Sequence, residues 1–337
     1  LSWLRLFALL LVRGWEGGIR VHAACTESVK YVSSPLEMLW VDNIKDLEGE
    51  NPTDAWHPFW PRFCEFWEGQ KAQVDIWKSH MAQGFVAPLP DEIFSYHEWT
   101  SSCSTEPWRV YIEPLVSTLR HPDVPCRITN ATRYSLMSDI SWLKYPSRHD
   151  IVPLKRGLHS RAYFIDLGST FVDRGFFGFH DSLAHKLQKF HNGNITFDEI
   201  FAWEARELKP RKYWPRVPSH IMHKLHFYNV PAKPAPNSDM NPWTLLKRLV
   251  RPEDYVVVKL DIDNNPVEIA FIKQLLASKQ LQSIVDELFW ENHVRGPMQW
   301  LGWGNLASLE GDIVTSHDSY QTFLRLRKTG IRAHSWV

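Results

Sequence analysis

The sequence has no excess of charge of either sign, because 38 Lys and Arg residues are matched by 38 Asp and Glu residues. A dedicated nucleic-acid-binding protein carries a positive excess that neutralises phosphates, so we expect no nucleic-acid partner. Internal repeats are absent as well. The 337 residues are therefore expected to form one large globular domain or two smaller ones.

Cysteine is scarce, and no two cysteines form a CxxC pair, which excludes the usual zinc-finger spacing. The four cysteines all precede residue 130: Cys25, Cys64, Cys103 and Cys126. In an oxidising compartment they would form two disulfides, and three pairings are open.

An apolar run long enough to span a bilayer is also missing. Residues 1–12, LSWLRLFALLLV, are apolar apart from Ser2 and Arg5 but too short for a transmembrane helix. The VHA sequence at 21–23 resembles a signal-peptide cleavage site, so residues 1–23 are predicted to be the remnant of a signal peptide or membrane anchor. A buried N-terminal helix is the alternative.

Two sequons for N-glycosylation are present, at Asn130 and at Asn194. Such triplets often arise by chance, so each alone carries little weight. Together with the apolar start and the clustered cysteines, they favour the secretory pathway or membrane association over the cytoplasm and predict a glycoprotein.

Tryptophan and proline are abundant, with 17 and 22 residues. Residues 24–155 show no regular alternation of strands and helices. We predict an irregular Trp- and Pro-rich N-terminal extension or cap there, made of loops and short helices, with one longer helix within Glu65–Met81.

Residues 156–337 have a different pattern, in which short apolar segments alternate with amphipathic ones. Strands are predicted at 161–169, 199–204, 223–230, from Tyr255 to about 260, at 283–290 and at 331–336, and helices at about 181–190, 243–249, 266–279 and 319–328. This alternation predicts an α/β fold with a mostly parallel sheet and helices on both faces. Asn265 is the predicted N-cap of the helix at 266–279.

Acidic residues stand where several of these strands end. The segment YVVVKLDIDNNPV, from Tyr255 to Val267, delivers Asp261 and Asp263 directly after a β-branched run. Ligands of open α/β sheets bind at the carboxyl ends of the strands. Asp166 ends the first strand, and Glu204 ends the second, where a carboxylate can accept hydrogen bonds from two ribose hydroxyls at once.

Five segments in order, FIDLGS, FAWEAR, VVVKLDIDNNP, VDELFWENH and LRLRKTGIRAHSW, resemble the S-adenosylmethionine-dependent methyltransferases of the FkbM type. The resemblance covers about residues 160–337. It implies a Rossmann-like methyltransferase sheet, S-adenosylmethionine as cofactor, and O-methyl transfer to the hydroxyl group of a small molecule or glycan. The resemblance does not cover the N-terminal extension, whose position before this domain alone suggests that it covers or shapes the acceptor site.

The resemblance assigns cofactor-binding roles to Asp166, Gly168, Ser169 and Glu204. The sequence departs from the family in two places. The loop after Gly168 lacks the further glycines that usually follow closely, and Asp263-Asn264 stands where the family has Glu-Gly. A non-catalytic binding protein on the same scaffold is therefore an alternative.

Methyl transfer to a hydroxyl requires alignment of the reactants and removal of a proton. Asp261 and His293 are the predicted catalytic residues, with His293 as the base. Alternatively, Asp261, Asp263 and Glu291, together with Asn292, would surround a hard divalent metal ion that activates the hydroxyl.

A third class remains open. Asp261-Ile262-Asp263 matches the DxD motif of metal-dependent glycosyltransferases, which bind a nucleotide-sugar diphosphate through Mn²⁺. An apolar strand before the motif and the secretory features suit that interpretation. The segments FIDLGS and FAWEAR do not.

Overall fold

The second half of the chain forms a six-stranded parallel sheet in a computed structural model. The structure describes residues 27–42, 59–82, 89–102, 104, 106–116, 122–127, 135, 139, 142–151, 160–174, 182–294 and 315–336. In chain order the strands of this sheet are β4 (Ala162–Leu167), β5 (Glu199–Trp203), β6 (Leu225–Tyr228), β7 (Tyr255–Leu260), β8 (Glu287–Trp290) and β9 (Arg332–Ser335).

The sheet has the order β6-β5-β4-β7-β8-β9, and all five neighbouring pairs are parallel. The chain builds outward from β4 to β6 and then returns to start again at β7. The strand order therefore reverses between β4 and β7, which is where a Rossmann-like sheet opens a ligand-binding crevice. The predicted α/β sheet is confirmed.

Helices cover both faces of the sheet, as predicted. One face packs against α8 (Pro242–Leu249), α9 (Asn265–Ala277), α10 (Lys279–Ile284) and α11 (Ser316–Lys328). The other packs against α5 (Leu183–Asn192), α6 (Pro210–Tyr213), the 3₁₀ turn Trp214–Arg216 and α7 (Ser219–Met222). All six residues of β7 are buried, and its five apolar side chains are divided between the apolar clusters on the two faces of the sheet, which explains its continuous β-branched run.

The turn between β7 and α9 differs from the prediction by one residue. Asp263 has a left-handed backbone with φ 55°, so the chain turns before Asn264. Asn264 is consequently the N-cap, and its side chain accepts the Val267 N–H. Glu268 accepts hydrogen bonds from the backbone N–H groups of Ile262 and Asn264. The strand predicted at 283–290 is also shorter, because its first residues end α10.

The N-terminal region contains regular structure that the sequence did not predict. The strands β1 (Glu27–Val32), β2 (Ser95–Ser101) and β3 (Trp108–Ile112) form an antiparallel sheet, so the prediction of loops and helices alone is wrong. Aromatic side chains pair across β2 and β3, for example Trp99 on Trp108 with ring centroids 6.3 Å apart. The helices in this region are α1 (Pro35–Val41), α2 (Phe59–Ala82), α3 (Val124–Arg127) and α4 (Arg148–Ile151).

The predicted helix within 65–81 is confirmed as part of α2. A disulfide between Cys64 and Cys126 joins α2 to α3, with Cα atoms 5.4 Å apart. Cys25 and Cys103 lie outside the described residues. Asn194 lies exposed in the turn after α5, whereas Asn130 and residues 1–23 are outside the described residues.

No helix in the described ranges is long and apolar enough to cross a membrane. Several large aromatic side chains of the N-terminal region are buried in the apolar cluster that covers one face of the parallel sheet. Trp40, Phe63, Trp67 and Trp142 all belong to it. The N-terminal region therefore shares a core with the sheet.

Charged side chains also join the two regions, in a buried ionic network formed by Glu37, Glu113, Glu287, Arg327, Arg332 and His334. Arg327 of α11 pairs with Glu37 at 3.5 Å and with Glu113 at 3.3 Å. His334 of β9 lies between Glu113 at 2.8 Å and Glu287 at 2.7 Å. The side chains of these residues are at most 5% exposed, so the N-terminal sheet is fixed to β8 and β9 by paired charges.

Candidate active site

Six polar residues meet at the carboxyl edge of the sheet, where β4, β7 and β8 end. We call them the carboxyl-edge cluster: Asp166, Lys259, Asp261, Asp263, Glu291 and His293. Strands β7 and β8 are neighbours, as the prediction of a shared site for their acids required. Five members of this cluster were predicted site residues in the sequence analysis. The sixth, Lys259, was not predicted.

Lys259 lies between two of the predicted acids. The strand register sets it beside Asp166, and its Nζ lies 3.3 Å from Asp166 Oδ1 and 2.8 Å from Asp261 Oδ2. Burial alone would lower the pKa of Lys259, but the two carboxylates outweigh burial and raise that pKa above its usual value. A single lysine inside an otherwise apolar strand was the sequence signal that could have revealed it.

Asp261 is held by three groups. Lys259 pairs with it, the Trp336 indole N–H donates to its Oδ2 at 3.1 Å, and Glu291 shares a hydrogen bond with it. Burial acts to raise the pKa of Asp261, but Lys259 outweighs it and leaves that pKa below its ordinary value. In Glu291, burial and the charge of Asp261 raise the pKa to about 7. The two carboxyl groups thus have opposite shifts, and Glu291 holds a proton more readily.

Asp263, Glu291 and His293 form a tighter group, which we call the carboxylate–histidine triad. His293 Nε2 lies 3.3 Å from Glu291 Oε2 and 3.9 Å from Asp263 Oδ1. The structure thus brings Asp263 and Glu291 together, as expected for metal ligands. The third member of the triad is His293, while the Asp261 carboxylate faces Lys259 and Trp336.

Gly168 makes a close backbone contact with the neighbouring strand end. It has a left-handed φ of 88°, and a Cβ atom there would lie 1.6 Å from the carbonyl oxygen of Asp261. The N–H groups of Gly168 and Ser169 both donate to the carbonyl oxygen of Trp203. The glycine is thus required for the approach of β4 to β7 at the crevice.

Glu204 lies at the end of β5, on the other side of this turn. Its side chain is 11% exposed, and it accepts the Arg206 N–H at 2.6 Å. Burial raises the pKa of Glu204 above its ordinary value, and the nearby charge of Asp166 adds to the effect. Glu204 and Asp166 are therefore close enough to interact electrostatically, as a shared cofactor site requires.

Two buried hydroxyl groups lie near these acids. Among the described residues, neither Ser169 Oγ nor the Tyr213 hydroxyl has a hydrogen-bond partner. Burial raises the pKa of Tyr213 above its ordinary value, and the charges of Asp166 and Glu204 contribute to the rise. Tyr213 could not be singled out from the sequence, because it belongs to a four-residue helix between strands.

Two open cavities lie elsewhere on the molecule. One, of about 340 Å³, is lined by α9 and α11, including Lys273 and Arg325. The other, of about 260 Å³, lies at the amino ends of the strands beside Asn194 and Tyr255. Neither touches the carboxyl-edge cluster.

Comparison of the chain with known protein families, with curated proteins and with solved structures finds no match. What the protein does must therefore be inferred from the carboxyl edge itself. There, one lysine, one histidine and four carboxyl groups meet at the point where the strand order of the sheet reverses.

Proposed function

We propose that the chain is an S-adenosylmethionine-dependent methyltransferase that acts on the hydroxyl group of a small molecule or glycan. The observation that carries the proposal is the position of Glu204. It ends the strand next to β4, beside the Gly168 turn, on a sheet whose order reverses at β4 and β7. A carboxylate at this place can accept hydrogen bonds from both hydroxyls of a ribose.

The residues at the crevice fit a nucleoside cofactor in part. Ser169 Oγ and the Tyr213 hydroxyl are buried polar atoms that a bound polar ligand would satisfy, and Glu204 offers a carboxylate directly after β5. Asp166 and Gly168 are already engaged, with Lys259 and with the Asp261 backbone. Their role in binding would be to shape the floor of the crevice.

S-adenosylmethionine bound there would supply a methyl group activated by a positively charged sulfur. The chain itself would have to orient the acceptor hydroxyl and take up its proton. Asp261, Glu291 and His293 lie on the carboxyl edge beyond β7 and β8, where an acceptor could reach them. Proton transfer by such positioned groups typically contributes about 10²–10⁴-fold to a rate.

The structure offers less support for the two alternatives, a glycosyltransferase and a non-catalytic binding protein. A DxD glycosyltransferase would need Asp261 and Asp263 on one metal ion, but the Asp261 carboxylate is paired with Lys259. A non-catalytic binding protein is favoured by the same ion pairs, because Lys259 neutralises two acids internally.

Binding measurements with the folded chain would test the proposal. Isothermal titration with S-adenosylmethionine is expected to show binding, and Glu204→Ala is expected to weaken it by at least ~10-fold because charge-assisted hydrogen bonds are lost. The exposed Glu207→Ala, three residues away, is the matched control and should bind as the wild type does.

The competing ligands decide among the three functions. Binding of a UDP-sugar in the presence of Mn²⁺, without binding of S-adenosylmethionine, would overturn the methyltransferase proposal in favour of a glycosyltransferase. No binding of either compound would also overturn it and would favour a non-catalytic protein. Equal affinity of wild type and Glu204→Ala would reject the role of Glu204.

A further inference from the structure

The carboxylate–histidine triad has ligand atoms spaced for a single ion. One atom from each of Asp263, Glu291 and His293 lies within 4.8 Å of the other two. The two separations from His293 Nε2 are 3.3 Å and 3.9 Å. Ligands bound to one tetrahedral ion at about 2.1 Å are about 3.4 Å apart, so small side-chain rotations would let these three atoms fill three of its four positions.

Glu291 supplies a buried carboxylate oxygen that lies against His293 Nε2 without a well-aligned hydrogen bond. The residue is 4% exposed, and its Oε2 accepts no hydrogen bond of normal geometry from any described residue. The atom that faces this oxygen is His293 Nε2. Burying an acceptor without a well-aligned donor destabilises the fold, and a coordinated cation would offset that cost.

The backbone that carries these side chains is fixed to the first turn of α9. The Asn265 amide donates to the carbonyl oxygen of His293 at 2.8 Å, and Asn292 donates to the Asn265 side chain at 3.4 Å. Glu268 holds the other loop through the Ile262 N–H. Contacts of this kind orient ligands in metal sites before the ion arrives.

Asp263 gives the triad an open side. Its side chain is 87% exposed, whereas those of Glu291 and His293 are 5% and 8% exposed. An ion could therefore enter from solvent past Asp263 and reach two buried ligands. Asp261, which shares a hydrogen bond with Glu291, adds negative charge behind them.

We propose that Asp263, Glu291 and His293 bind one divalent cation of the Mn²⁺ or Zn²⁺ class. A mixed set of imidazole nitrogen and carboxylate oxygens suits these ions, whereas Ca²⁺ prefers oxygen ligands alone. A catalytic use of the ion rests on the function proposed above: it would bind the acceptor hydroxyl and lower its pKa. His293 then acts as a ligand, and the hydroxyl proton passes to solvent.

Titration of the EDTA-stripped chain with MnCl₂ and with ZnCl₂ would test the site. We expect one ion per chain, with affinity lowered at least ~10-fold by Asp263→Asn and by Glu291→Gln. Asparagine tolerates a left-handed backbone as aspartate does, so Asp263→Asn should keep the loop intact. The matched control is Asp239→Asn, an exposed aspartate in the loop before α8, which should bind as the wild type does.

Co²⁺ provides a spectroscopic check, because its visible absorption reports the ligand set directly. The wild-type spectrum should change in Asp263→Asn and stay unchanged in Asp239→Asn. The proposal is overturned if neither Mn²⁺ nor Zn²⁺ binds, or if Asp263→Asn and Glu291→Gln bind them with wild-type affinity.

The cation site and the methyltransferase function can fail separately. Metal titrations contain no S-adenosylmethionine, and the cofactor titration can be repeated in EDTA. Metal binding without cofactor binding would retain the site and reject the function proposed above. Cofactor binding without metal binding would reject the cation site and retain the function proposed above.

Discussion

The buried ionic network and the carboxyl-edge cluster differ in how fully their charges are paired. In the network, three carboxylates face two guanidinium groups and one imidazole, and every side chain is nearly inaccessible. In the cluster, four carboxyl groups face one lysine and one imidazole, and Asp263 is open to solvent. The network is thus electrically complete, whereas the cluster retains an excess of negative charge at an open edge.

This difference separates a structural role from a binding role. Buried charges that satisfy one another fix the geometry of the elements that carry them, and removing one member leaves the others unpaired. An unbalanced group at the reversal point of an α/β sheet can still gain from a ligand of opposite charge. Mutations in the network should therefore lower the free energy of unfolding of the protein strongly, and mutations in the cluster should lower it less.

The largest effect is expected for Arg327→Met. It leaves Glu37 buried without its cation and Glu113 with His334 alone, and we expect the free energy of unfolding to fall by about 3–5 kcal/mol. Urea denaturation followed by tryptophan fluorescence would measure it. Arg325→Met, an exposed change on the same helix, should stay within about 0.5 kcal/mol of wild type. A loss below 1 kcal/mol for Arg327→Met would contradict the structural role of the network.

Lys259→Met in the carboxyl-edge cluster is expected to lower the free energy of unfolding by less, about 2–3 kcal/mol. Asp166 and Asp261 lose their shared partner, but the Asp261 side chain is 20% exposed and retains some hydration. The double variant Lys259→Met/Asp261→Asn should recover part of the loss, because one of the unpaired charges is gone. Lys247→Met, exposed on α8, is the control for the lysine side chain. If the double variant were less stable than the single one, the proposed pairing would be wrong.

The smallest expected effect is a change with pH in the stabilisation that His334 gives to the fold. Burial acts to lower the pKa of His334, but Glu113 and Glu287 outweigh burial and raise it above the unfolded value. Such a group stabilises the fold fully below the unfolded pKa of about 6.5, and its contribution is lost as pH rises through the folded pKa. The stability difference between wild type and His334→Gln should therefore shrink as pH rises above about 6.5.

Urea denaturation of both proteins at several pH values between about 6.5 and 9 would measure that difference. This window avoids His97, whose pKa is lowered to about 3 by burial and which acts in the opposite direction at lower pH. A difference that stays constant across the window would mean that His334 does not exchange a proton on unfolding.

The sequence predicted the parallel sheet because its pattern is local. Buried strands such as β7 are apolar throughout, and the acids that end them are visible in the chain. The neighbouring positions of β7 and β8 then follow from topology. The antiparallel sheet of the N-terminal region escaped prediction because its strands are partly exposed and lie far apart in the chain, with β1 and β2 more than sixty positions away.

The candidate site was predictable as a set of acids but not as an arrangement. Side-chain pairing depends on strand register, and register placed Lys259 beside Asp166. The carboxylate–histidine triad also depends on a tertiary contact. It includes His293 because the loop after β8 is hydrogen-bonded to α9. Pairwise contacts of this kind depend on tertiary structure, and no spacing in the sequence specifies them.

The buried ionic network also constrains the order in which the chain can mature. Tyr31 hydrogen-bonds to Arg327 across 296 positions, and every cation of the network lies beyond residue 320, whereas Glu37 and Glu113 are synthesised early. During synthesis the carboxylates of Glu37 and Glu113 therefore stay solvated or protonated until α11 and β9 have been synthesised. The final packing of the N-terminal sheet is thus expected only after residue 334 has been synthesised, and it involves both ends of the described chain at once.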